Sequence, residues 1–148
     1  VYTGILKYAK NDDQLATVIS HEVAHALARH GAERVTQGMI QQGVGLIGSV
    51  AVAATAPQYQ NAFNQAYGLG SNLGVMLPYG RMQESEADEI GIYLMHKAGY
   101  NVNEATKFWE NMSEGKSGGN DFFSTHPSSQ NRTKDIQTVI NKIGNEAK

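Results

Sequence analysis

Apolar and polar positions recur with different periods along this chain, and the changes of period divide it. Val1 to Leu6 is β-prone and ends at a polar turn, which predicts one strand of a small sheet. Asn11-Asp12-Asp13-Gln14 follows, a cap residue with a glutamine three positions on, the signature of a helix start. The helical period then runs to about Arg34, and Val18, Ile19, Val23, Ala24, Ala26 and Leu27 give it an apolar setting. From Val35 to Gly80 there is no charged residue, and this stretch holds half of the chain's 16 glycines. Its part from Gly43 to Ala56 is small and apolar, shorter than the ~20 residues a membrane crossing needs, and reads as a covered helix with Gly/Ala packing. Tyr59, Phe63 and Tyr67 recur at helical spacing, as core aromatics do.

Pro78-Tyr79-Gly80-Arg81 predicts a break before a helix over about Met82–Lys97, which Gly99 ends. Asn103 caps a further helix whose Ala105, Phe108, Trp109 and Met112 face inward. Glu114 to Asn120 is a Gly/Ser/Lys loop, and a last helix runs from about Ser129 to Ile143. The expected fold is mainly α, with a small, truncated β-sheet.

Composition narrows the classes. With 148 residues and 16.0 kDa the chain is expected to be one domain, residues 1–148, around a single core. A net charge of −2 and a pI near 6.2 give no basic surface for nucleic acid. The absence of cysteine excludes disulfides and thiolate metal sites. The chain begins at Val1 with no signal segment, so it reads as a piece from which a targeting segment and the earlier part of the sheet have been removed. The uncharged stretch 35–80 offers a membrane-surface or self-association contact.

The chemistry centres on His21-Glu22-Val23-Ala24-His25, an H-E-x-x-H pattern on the first helix. Two histidines four apart lie on one face of a helix, so both imidazoles can reach one metal ion. Glu22 projects onto the neighbouring face, where it can act on a water beside the metal without being a ligand. Zinc lowers the pKa of such a water toward ~7, which suits a glutamate acting as general base.

A catalytic zinc needs a third protein ligand. The metzincin pattern would require a glycine three residues after the second histidine and another histidine three further on, but the chain has Ala28 and Gly31 there. His30 is one residue out of register and reads as a surface or helix-end histidine. A downstream helix supplies a candidate. In Glu84-Ser85-Glu86-Ala87-Asp88, Glu84 and Asp88 share a face, the first able to ligate zinc and the second to hydrogen-bond a ligand histidine from behind. Gly91, two turns beyond Glu84, lets this helix approach the first one closely.

His21-Glu22-x-x-His25, Glu84-x-x-Ala87-Asp88-x-x-Gly91 and His126-Pro127-x-x-x-x-Arg132, in that order, resemble the gluzincin zinc metallopeptidases of the CAAX prenyl protease and HtpX type. Within them the chain is similar to the soluble periplasmic branch of Oma-like lipoprotein peptidases and the β-barrel-assembly-enhancing protease. The resemblance covers roughly Tyr2 to Arg132. It implies a zincin-like helical core, one zinc per chain held by His21, His25 and Glu84 rather than Glu86, Glu22 as base and Asp88 as support. It also brings His126 and Arg132 to the active site, where they can stabilise an oxyanion. His126 has a second implied role, that of a latch occupying the open position on the zinc.

The reaction so implied is endoproteolysis of misfolded or misassembled envelope proteins, in the periplasm or at the outer membrane of a bacterium. Two alternatives stand beside it. One is a latent chaperone or adaptor module that merely binds zinc. The other is an aminopeptidase, for which no amine-binding acidic motif is visible.

Overall fold

The structure, a computed structural model, describes residues 3–115, 122–127 and 130–146. Every regular element among the described residues is a helix. A 3-10 turn over Thr3–Lys7 precedes α1 (Asp12–Leu27) and α2 (His30–Thr55). A second short turn, Pro57–Tyr59, leads to α3 (Gln60–Ser71) and a π-helical stretch, Asn72–Met76. Then come α4 (Leu77–Lys97), α5 (Glu104–Glu114), the single turn α6 (Phe122–Thr125) and α7 (Arg132–Glu146).

The mainly α class holds, but the small sheet does not form among the described residues. Thr3–Lys7 winds into a 3-10 turn, with the Tyr8 N–H donating to the Ile5 carbonyl at 3.0 Å and Ile5 buried. A lone strand would leave its backbone groups without partners, whereas the turn satisfies them locally and still buries Ile5. Val1 and Tyr2, the start of that expected strand, lie outside the described residues, as do residues 116–120 of the expected loop.

Two compact units divide the chain, Val1–Ala28 with Arg81–Lys148, and Arg29–Gly80. The first contains the hydrophobic core. Val18 of α1, Ile92 and Met95 of α4, Phe108, Trp109 and Met112 of α5, Phe122 of α6, and Ile136, Ile140 and Ile143 of α7 bury their side chains together. Helix α1 begins at the expected cap: Asn11 Oδ1 accepts from the Gln14 N–H at 2.9 Å, and Gln14 Oε1 accepts from the Lys10 N–H at 2.9 Å. The Gln14 and Asn11 amides also donate to Glu104 of α5. With Lys107 beside it, these donors hold the Glu104 carboxyl down at about 2.

Helix α4 crosses α1 at Gly91. A methyl group there would sit 3.2 Å from the His21 backbone nitrogen and 3.3 Å from Ser20, tighter than ordinary van der Waals contact, so glycine eases the close approach of the two backbones. The helix ends as its sequence signals. Gly99 takes φ +84°, the Tyr100 N–H reaches the Met95 carbonyl, and the Gly99 N–H reaches that of His96.

The second unit is a hairpin of α2 and α3. The motif helix stops at Leu27 rather than running to Arg34, because Arg29 adopts the left-handed conformation (φ 59°) and breaks the hydrogen-bond ladder. His30 starts the next helix and is buried, not on the surface. Helix α2 is also longer than the apolar run Gly43–Ala56 implied, 26 residues in all. Its glycines seat aromatic rings of α3: a methyl at Gly45 would overlap Tyr67, and one at Gly48 would overlap Phe63. Tyr59 stays exposed. The expected break at Pro78 is absent. The π-stretch just before it, where the Leu77 N–H reaches back to the Asn72 carbonyl, shifts the hydrogen-bond ladder ahead of the proline and lets the helix continue.

Two outcomes test this packing. Phe108, fully buried, should cost about 3–5 kcal/mol as Phe108→Ala in urea denaturation. The Glu104 tie between α1 and α5 contributes stability above the usual glutamate value of 4.5. That contribution should fade as pH falls from there through about 2, and Glu104→Gln should remove that part of the pH dependence of Tm.

Candidate metal centre

Helix α1 presents His21 and His25 one turn apart, and α4 brings Glu84 to meet them. His21 Nε2 lies 3.0 Å from Glu84 Oε2, His25 Nε2 lies 2.9 Å from Glu84 Oε1, and the two ring nitrogens are 3.1 Å apart. Two imidazole nitrogens facing each other beside a buried carboxylate form a convergent donor set that suits a cation. Ligands about 2.0–2.1 Å from a tetrahedral zinc would lie about 3.3 Å apart, close to the spacings here. His126, just past α6, joins the cluster. Its Nδ1 is 3.0 Å from Glu84 Oε1, and one donor atom from each of His21, His25, Glu84 and His126 lies within 4.8 Å of the others.

Glu22 stands outside this group of four. Its side chain is one-third exposed, and its Oε1 is 3.5 Å from His126 Nε2. Asp88 sits behind His21, with Oδ1 2.8 Å from His21 Nδ1. A proton on Nδ1 donated to Asp88 leaves the Nε2 lone pair directed into the cluster. Arg132, the first residue of α7, donates from Nη2 to the same Asp88 oxygen at 2.7 Å and lies 3.7 Å from Glu84 Oε2. Its guanidinium rests on the Trp109 ring, 3.5 Å from the centroid. Its shortest contact is thus with the carboxylate that supports His21.

The electrostatics follow from this crowding. Burial opposes the charge on Glu84, yet hydrogen bonds from His126, His21 and His25 outweigh it and hold the carboxyl far below its usual range. Burial lowers His21, but Asp88 and Glu84 reverse the direction and raise it. At His25 burial prevails and the pKa falls.

The apolar wall around the site does not come from the residues that flank the motif. Ile19, Val23, Ala26 and Leu27 are exposed, and only Val18 and Ala24 of that set are buried. A helix has one buried face, and these four occupy the other. The wall comes instead from Trp109, 5.3 Å from the His21 ring, and Phe122, whose ring stacks on His126 at 4.2 Å. Sequence reasoning placed Trp109 in the core and gave Phe122 no role. The nearness of Phe122 to His126-Pro127 in the chain was the available signal.

The comparisons with known proteins bear on this geometry. The model of peptidase family M48 matches residues 1–140. The chain belongs to peptidase family M48. Peptidase family M48 is a family of zinc metallopeptidases. It is 39% identical to the mitochondrial metalloendopeptidase OMA1 of Schizosaccharomyces pombe over 140 residues, covering 93% of this chain and 39% of that protein. The human mitochondrial metalloendopeptidase OMA1 is 30% identical, covering 95% of this chain and 28% of its own length. The β-barrel assembly-enhancing protease of Escherichia coli is 28% identical, covering 97% and 30%. The chain therefore spans well under half the length of these curated relatives. No solved structure matches it.

Zinc titration should discriminate the two candidate glutamates. Glu84→Ala should abolish stoichiometric binding and Glu86→Ala should preserve it, because only Glu84 faces both imidazoles. Asp88→Ala should weaken affinity roughly 10–100-fold. Gly91→Ala should also weaken it, because the added methyl group 3.2 Å from the His21 backbone nitrogen makes the ligand helix give way by a few tenths of an ångström.

Proposed function

We propose that residues 1–148 form the catalytic domain of a zinc endopeptidase in which His21, His25 and Glu84 hold the metal. The observation that carries this reading is the convergence of His21, His25 and Glu84 within 2.9–3.1 Å, with Glu22 outside that set and 3.5 Å from His126. When bound, zinc supplies Lewis acidity that polarises a carbonyl and makes water nucleophilic near neutral pH. Glu22, partly exposed, accepts the proton of the attacking water and returns it to the leaving amine. Asp88 fixes the tautomer and orientation of His21. Arg132 positions Asp88 through their 2.7 Å bond. Trp109 and Phe122 keep water from the ligand rings.

His126 reads as a latch: it lies inside the donor cluster, its Nδ1 bound to Glu84 and its ring stacked on Phe122. In that position it would stand between substrate and a zinc held by His21, His25 and Glu84.

The substrates we infer are misfolded or misassembled cell-envelope polypeptides, at a bacterial periplasmic or outer-membrane site. The likeness to the β-barrel assembly-enhancing protease supports this, while the OMA1 relatives are mitochondrial by name. Subcellular fractionation of the native protein decides the location.

Cleavage of an unfolded protein tests the chemistry. Glu22→Gln should abolish it with zinc content unchanged. Persistence of cleavage would remove Glu22 from its role. If cleavage is absent in the unmodified, zinc-loaded protein as well, the chain is a zinc-binding module rather than a peptidase. His126→Ala should raise the rate, whereas a fall of roughly 10²-fold would mark His126 as an oxyanion donor instead.

A further inference from the structure

The hairpin of α2 and α3 carries chemistry that the metal centre does not use. No charged residue occurs from Val35 to Gly80, yet Glu33, Arg34, Arg81 and Glu84 stand just outside that span. Helix α2 is long and apolar enough to cross a membrane, and none of its most apolar 18-residue window is buried.

The distribution around each helix decides what this surface meets. At 100° per residue, Val35, Leu46, Met39, Val50, Ile47, Ile40 and Val44 fan across roughly half the circumference of α2. All seven are more than half exposed, Ile47 at 74%. Gly45 and Gly48, against Tyr67 and Phe63, occupy the opposite half. Several polar groups are tied up inside the hairpin or by their own helix, while the Gln42 amide is exposed at the edge of the apolar half of α2. The Tyr67 hydroxyl donates to the Gln41 carbonyl at 2.8 Å, Gln60 donates to Ser49, and the Thr36 and Thr55 hydroxyls donate to carbonyls four residues back. Helix α3 is two-sided. Exposed Ala62, Ala66 and Leu69, continued by Leu73, share one flank, and exposed Asn61, Asn64 and Gln65 the other.

One partner helix covers a stripe about 100° wide, so a surface roughly twice that breadth suits a continuous apolar medium better than a second copy of this chain. The amide flank of α3 excludes full immersion, because hydrocarbon would remove these exposed side-chain amides from the water that solvates them. We propose that the hairpin is a monotopic membrane anchor: the outer half of α2 and the apolar flank of α3 lie in the upper hydrocarbon of a lipid bilayer, and the amides of α3 stay at the headgroups. Because the surface has no cation, the binding is hydrophobic and indifferent to lipid charge. The proposal stands independently of the peptidase chemistry.

Flotation of the zinc-loaded chain with phosphatidylcholine vesicles tests it. The protein should float with the vesicles equally at roughly 50 mM and roughly 500 mM salt. Ile47→Glu should lower partitioning at least about tenfold, and Leu69→Glu should do the same on the other helix. Asn64→Glu, on the amide flank, should leave it within about twofold. Unchanged far-UV helicity and zinc content certify that each variant is folded, and the two independent variants guard against loss of one. Three results would overturn the anchor. The first is no flotation. The second is flotation that requires phosphatidylserine and disappears in high salt. The third is a dimer in sedimentation that Ile47→Glu dissolves while vesicles bind neither form, which would make the surface a self-interface.

Discussion

A buried carboxylate governs this structure. Glu84 is almost wholly removed from water, and an ion in that position is expensive unless other groups surround it with donors or a metal. His21, His25 and His126 converge on it, and Arg132 stands within 3.7 Å. The arrangement demands that two helices distant in sequence cross at a fixed height. Gly91 permits that crossing, because any side chain there would press on the backbone of the motif helix at Ser20 and His21. Core packing of α5 and α7 then holds both helices, and Trp109 serves core and site at once.

The support of the centre is layered. Asp88 orients His21, Arg132 orients Asp88, and the Trp109 ring carries the Arg132 guanidinium. Each layer comes from a different helix, so the ligand geometry inherits the rigidity of the whole core rather than that of one element. Membership of peptidase family M48 and the donor chemistry of the His21, His25, Glu84 and His126 cluster point in the same direction, toward a zinc centre. The hairpin obeys another rule altogether. Its inner side is specified by small residues meeting aromatic rings, and its outer side by the absence of charge.

Much of this was legible in the chain. Periodicity placed the starts of α1 and α5 and Gly99 the end of α4; a side-chain cap bond forms at Asn11 but not at Asn103, whose backbone is already helical. The spacing of His21 and His25, and of Glu84 and Asp88, determined which side chains share a face, because helical geometry is local. The sequence also determined that 35–80 lacks charge, and with it the class of surface the hairpin presents.

Tertiary structure decided the rest. Nothing local distinguishes the exposed Ile19, Val23 and Leu27 from the buried Val18 and Ala24; only the packing of α4 and α5 selects the buried face of α1. The residues expected in a strand formed a 3-10 turn, because a strand is stable only beside a partner. Arg29 broke the motif helix with a left-handed residue that no glycine announced. Arg132 was an arginine at a plausible spacing in the sequence. Its place behind Asp88, flat against Trp109, depends on contacts between residues 23 and 44 positions apart in the chain. Helical period fixes which residues can act together within one element, but which elements meet is set by burial of the whole.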